Sequence, residues 1–110
     1  MDQRKQKYFQ ELELYRKASL NKNWEEVVYY LGRAHVLSQS YPFSHLYVHF
    51  LMLFASFRFF RLGEISGQLL RVFVTLPGHI IGRVPRGNIG WSTVPLTQEM
   101  DIPEDLKPLC

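Results

Sequence analysis

Between Trp24 and His35 the residues Trp24, Val27, Val28, Leu31, Ala34 and His35 fall at the i, i+3, i+4, i+7 intervals of one helix face. Glu25, Glu26 and Arg33 fall off that face, so the pattern predicts a helix whose inward side carries His35. An earlier helix is predicted over Gln3 to Ser19, with Tyr8, Leu12 and Tyr15 inward, Leu20 at the end of the same side, and Arg4, Lys5, Glu11 and Lys17 outward. The turn LNKN separates the two, and Asn23 suits the N-cap of the second, with Glu25 and Glu26 in its first turn. Pro42 suits the opening turn of a third helix, where its missing N–H would be unpaired anyway. Phe43 to Phe60 is then apolar nearly all round, with His45, His49, Met52 and Ser56 on one stripe. After a break at Leu62-Gly63, a fourth helix is predicted from Glu64. Ile65, Leu69, Val72, Phe73 and Leu76 face inward and Glu64, Gln68, Arg71 and Thr75 outward. Pro77-Gly78 interrupts it, with one more helical turn at His79 to Gly82.

These elements predict an all-α fold of four helices in two helical hairpins. Residues 1–84 form the helical domain, and residues 85–110 an irregular tail packed on it. Docking through Trp91, Val94, Leu96 and Ile102 is expected, with a short final turn at Pro103 to Leu106. The first hairpin, with small Ala18 and Ala34 and a proline after its second helix, looks tetratricopeptide-like.

A chain of 110 residues is expected to be one domain with a modest core, and its many Phe and Tyr residues point to a core built from rings. A single cysteine, Cys110, excludes an internal disulfide framework and fits a reducing, cytoplasmic setting. The N-terminal residues have no apolar run of the signal-peptide kind. The longest strongly apolar run, Leu46 to Phe57, covers 12 residues, against roughly 20 needed to span a bilayer. No transmembrane segment is expected.

Charge is unevenly spread. Residues 27–98 carry six arginines, no lysine and one acid, Glu64, whereas residues 99–110 hold four acids and one lysine. Arginine favours planar pairing with carboxylates or phosphates. Arg58, Arg61, Arg83 and Arg86 are therefore candidates for an anion or partner surface. Arg58 and Arg61 also suit a helix C-terminus, and the tail acids Asp101, Glu104 and Asp105 offer internal partners. The aromatic residues follow core spacing and do not interleave with the arginines, so a nucleic-acid partner is not expected.

Three of the four histidines fall where the two central helices meet. Helices joined by a short turn run antiparallel, which sets His35 level with the His45 to His49 turn. An i, i+4 histidine pair with a third imidazole from the neighbouring helix makes a three-histidine metal site with an open position. Zinc or copper are the candidates, and Met52 would add a thioether favouring copper(I). No acid lies nearby in sequence to hold the rings. Two other readings are open: core histidines bonded to backbone carbonyls or to Tyr30, Tyr41 or Tyr47, and a site for an organic or anionic ligand.

The segments RAHVLSQ with His45, His49 and Met52, GQLLR at Gly67 to Arg71, PRGNIG at Pro85 to Gly90 and IPEDL at Ile102 to Leu106 resemble the hallmarks of an uncharacterised bacterial family, DUF3703. That resemblance implies a cytoplasmic, helical, bacterial protein and supplies no catalytic residue. The chain has no H-E-x-x-H helix, no nucleophile elbow and no paired carboxylates in an apolar setting, so enzymatic activity is not expected. Gly87 to Gly90 with Arg83 and Arg86 lacks the strand and helix of a phosphate loop and reads as a turn. The leading expectation is a binding or protein-interaction module that engages itself or a partner protein, and the rival is metal binding by His35, His45 and His49.

Overall fold

The computed structural model describes residues 2–110. Four helices, α1 (Gln3–Leu20), α2 (Trp24–Ser38), α3 (Pro42–Arg58) and α4 (Leu62–Ile80), are followed by an irregular tail with one 3-10 turn at Lys107–Leu109. The fold is all-α, with α1 packed on α2, α3 on α4, and the two hairpins joined where α2 meets α3.

Local chemistry sets most of the boundaries. Asp2 accepts from the Lys5 N–H at 2.8 Å and Asn23 Oδ1 from the Glu26 N–H at 3.2 Å, each satisfying a helix-start donor. Pro42 occupies the first turn of α3. The break before α4 lies earlier than the expected Leu62-Gly63. Phe60 takes a positive φ of 55°, and the Arg61 N–H closes back on the Ser56 carbonyl at 2.8 Å. Leu62 and Gly63 are consequently the first residues of α4. Nor does Pro77 end that helix. It lies in the last turn of α4, where its missing N–H forfeits only one backbone bond. The helix therefore continues through His79.

The core is made by Tyr8, Leu12, Tyr15 and Ala18 of α1, Val27, Leu31, Ala34 and Leu37 of α2, Val48, Met52 and Ala55 of α3, and Trp91, Ile102 and Leu106 of the tail. Rings do enter the core as Tyr8, Tyr15 and Trp91, but the expectation fails for phenylalanine: seven of the eight are exposed and Phe59 is half-buried. Trp91 is buried, donates its indole N–H to the Val28 carbonyl at 3.0 Å and meets Trp24 edge-on at 5.3 Å. Ile102 and Leu106 are buried as well, Val94 is half-buried and Leu96 is 38% exposed.

Two faces differ from the pattern. Glu11 and Arg33, read as outward, are buried at 1% and 9% exposure and pair with each other at 2.9 Å across α1 and α2. Arg33 also binds Asp105 of the tail, one of the internal pairings expected from the charge distribution. Helix α4 is turned over: Gln68, Arg71 and Thr75 are buried, whereas Leu69, Leu70 and Phe73 are exposed. Its polar stripe faces the histidines.

Candidate metal centre

His35 comes from the last turn of α2, and His45 and His49 lie one turn apart on α3. The three Nε2 atoms form a small triangle: 2.8 Å from His35 to His45, 3.0 Å from His35 to His49 and 3.2 Å from His45 to His49. All three rings are buried. Four-coordinate zinc with nitrogen at 2.0–2.1 Å needs separations of about 3.3 Å, so the rings need part by only a few tenths of an ångström to accept an ion.

The opposite ring nitrogens fix what those Nε2 atoms can be. His35 Nδ1 lies 2.6 Å from the Asn88 carbonyl, which can only accept, so Nδ1 carries the proton and Nε2 a lone pair. His49 Nδ1 lies 2.8 Å from Gln68 Oε1. The Gln68 amide nitrogen donates to Glu64 Oε2 and to the Gly90 carbonyl, both at 2.9 Å, which fixes its orientation and again places the proton on Nδ1. Two lone pairs thus face each other at 3.0 Å in a buried site. His45 Nδ1 shares a proton with His79 Nε2 at 2.8 Å, so His45 supplies either a third lone pair or one N–H between two acceptors. By its hydrogen-bond chemistry the triangle presents at least two converging lone pairs, a donor set that could hold a cation.

The residues around the rings were not readable as partners from sequence spacing. An acid does support the site: Glu64 acts through Gln68 on His49, and is itself held by the Ser92 N–H at 2.9 Å. The PRGNIG segment is a buckle over His35. Gln39 binds the Pro85 carbonyl at 2.6 Å and accepts from the Gly87 N–H at 2.8 Å, while Asn88 ties to Pro95 and Gln98. At Gly90, with φ +85°, a Cβ would stand 2.5 Å from His35 Cδ2, so only glycine lets the backbone lie against that ring. Replacing Gln68 with leucine removes the acceptor that orients His49, and should weaken metal binding about 10- to 100-fold in a chelator competition titration.

Burial is the main cause that keeps these rings neutral. It lowers His35 well below the ordinary histidine value of 6.5, takes His45 to about 3 and His49 to about 4; the neighbouring rings push His35 and His45 further down. An unfolded chain therefore binds protons below pH 6.5 that the folded chain refuses. Stability of the metal-free protein should be full above about pH 7 and fall as pH drops through 6.5 towards 4, by up to about 1.4 kcal/mol per pH unit for each ring. Urea unfolding at pH 7.5 and pH 5 checks this: equal midpoints would contradict it.

The triangle opens on a cavity of about 310 Å³, whose lining includes Arg71, Thr75 and Arg83 among apolar residues from the end of α4 and the tail. Met52 is fully buried in the core, and the cavity is not lined by it. The four arginines expected to form one surface are dispersed. Arg83 reaches the cavity, Arg58 donates to the Ser19 carbonyl at 3.2 Å, Arg61 lies 4.9 Å over the Trp24 ring, and Arg86 is exposed on the buckle. Arg71, which sequence reasoning placed outside, is the buried one. The signal for it was its place in GQLLR, one turn beyond Gln68.

Among the described residues, no helix is long and apolar enough to cross a membrane. A family model described as "Protein of unknown function (DUF3703)" matches residues 2–110. No curated protein and no solved structure matches the chain.

Proposed function

We propose that this chain, which belongs to the DUF3703 family of proteins of unknown function, is a metal-binding protein that holds one transition-metal ion on His35, His45 and His49. The observation that carries this reading is the convergence of three Nε2 atoms within 3.2 Å, two of them obliged by their partners to present lone pairs. A core histidine ordinarily uses its second nitrogen as a donor or accepts from one. Here acceptor faces acceptor between His35 and His49, a conflict that one His45 N–H shared between them only eases and that a cation resolves. Three imidazoles suit zinc and copper alike. We assign the donor set to the rings alone, because their open side belongs to the cavity while Met52 packs in the core.

A competition titration with a chromophoric zinc chelator tests the reading. One equivalent of zinc should move from chelator to protein. If the chelator keeps its metal at equal concentrations, the reading fails.

A second observation favours self-association alongside metal binding. Phe43, Tyr47, Phe50, Phe54 and Phe57 follow one another at alternating steps of four and three along α3, and all are at least 46% exposed. Leu62, Leu70 and Phe73 add exposed apolar area on α4. A face of this size on a small domain is ordinarily covered, and the 4-3 spacing fits the same stripe on a second copy. Sedimentation of the wild type should give a dimer, and Phe54→Asp combined with Phe73→Asp a monomer that still takes up one zinc. A wild-type monomer at high concentration would remove this reading and leave the metal site untouched.

A further inference from the structure

The cavity above the three Nε2 atoms has an unusual charge balance. No aspartate or glutamate lines it, whereas Arg71 and Arg83 do. Arg71 is 5% exposed and is held in place by neutral groups: Nη1 donates to the Gly67 carbonyl at 3.2 Å and Nη2 to the Val94 carbonyl at 3.0 Å. Among the described residues, no carboxylate lies within ion-pair distance of it. Its charge acts on both His35 and His49; Glu64, behind Gln68 and outside the cavity lining, offsets it in part at His49. A divalent ion on neutral imidazoles keeps its full charge, and beside a fixed guanidinium in a poorly solvated pocket that concentration of positive charge is costly without an anion. Hydroxide alone would answer the charge but not the walls, which Val74, Pro77, Ile81, Val84 and Leu96 make largely apolar. The volume of about 310 Å³ has room for roughly ten non-hydrogen atoms at about 30 Å³ for each water-sized group.

We propose that the open coordination position takes the carboxylate of a small apolar organic acid, with Arg71 binding that carboxylate and the apolar walls receiving its body. This rests on the metal reading above. The metal supplies a Lewis acid for one carboxylate oxygen, and the guanidinium supplies charge-assisted donors. The apolar walls exclude larger polar anions. Arg83, exposed at the rim, adds attraction for the incoming anion.

Cobalt(II) makes the coordination position visible. Protein loaded with one equivalent of cobalt should show a saturable change in its visible spectrum on titration with benzoate, and none with benzyl alcohol. Arg71→Gln should weaken the benzoate response about tenfold to a hundredfold while cobalt stays bound. If that variant does not fold, Val74→Trp fills the cavity without replacing a metal ligand, and should abolish the benzoate response with cobalt retained. Loaded protein that ignores benzoate, answers benzyl alcohol equally, or responds undiminished in the variant that folds overturns the proposal and leaves the metal site standing. A tighter response to inorganic phosphate than to benzoate overturns the organic-acid assignment in favour of an inorganic oxyanion. Failure to load cobalt or zinc at all removes both readings together.

Discussion

Replacing His49 with alanine should reduce metal affinity by well over a hundredfold, the largest functional effect expected from any single substitution in this chain. A change in the groups that orient a ligand typically costs 10- to 100-fold, and under the metal-binding proposal His49 is itself a ligand. It is also the ring with the longest chain of support, through Gln68 to Glu64 and the Gly90 carbonyl. Alanine leaves two nitrogens where three converged, and Gln68 Oε1 loses its donor. Circular dichroism and the urea midpoint of the metal-free variant separate loss of the site from loss of the fold. The metal-free fold should survive, because Val48, Met52 and Ala55 of the same helix keep their places in the core. A folded variant that still holds one equivalent of zinc at wild-type affinity would contradict the assignment of His49 as a ligand.

The largest effect on stability should come from the opposite side of α2. Glu11 is 1% exposed, its Oε1 accepts from Arg33 Nε at 2.9 Å, and Oε2 has no hydrogen-bond partner among the described residues. Lys7, 30% exposed and 3.4 Å away, is a poor substitute. Arg33→Met would leave a buried carboxylate without its planar partner and should cost about 3–5 kcal/mol. The bond from Arg33 to Asp105 adds little to this, since Asp105 is 56% exposed and its charge remains solvated in the variant. The double variant Glu11→Met, Arg33→Met removes both charges and should recover most of the loss, because a buried ion pair replaced by apolar groups of similar size is often close to neutral. Urea unfolding of the single and double variants decides it. A single variant within about 1 kcal/mol of wild type would show that Glu11 is not held as the structure has it.

The convergence of the three rings was legible in the sequence because it depends on two simple geometries. The i, i+4 spacing puts His45 and His49 on one face, and the short turn at Ser40 to Pro42 brings His35 level with them. Their supports were not legible. Gln68 and Arg71 lie on the polar stripe of α4, and a rule that turns the apolar stripe inward sends them to solvent. That rule fails here because the buried rings need polar partners, so α4 turns its glutamine, arginine and threonine inward and leaves Leu69, Leu70 and Phe73 outside. The same inversion explains why Phe73, which the periodicity placed inward, is exposed. Asn88 and Gly90 were hidden for a different reason. They come from a segment without periodicity, and their roles depend on contacts about 53 residues away in sequence, as between His35 and the Asn88 carbonyl. Glu11 and Arg33 were each read alone as outward charges. Only the pairing of α1 with α2 makes burial of the two together affordable.

The central claim is that three Nε2 lone pairs converge on one cation, and long-range proton–nitrogen NMR of the imidazole side chains reads those atoms one by one. On addition of one equivalent of zinc, the Nε2 resonances of His35, His45 and His49 should all move to metal-bound values, while Nδ1 of His35 and His49 stays protonated in both forms. An Nε2–H on His35 or His49 before zinc is added, or three sets of resonances that ignore the metal, would contradict the account.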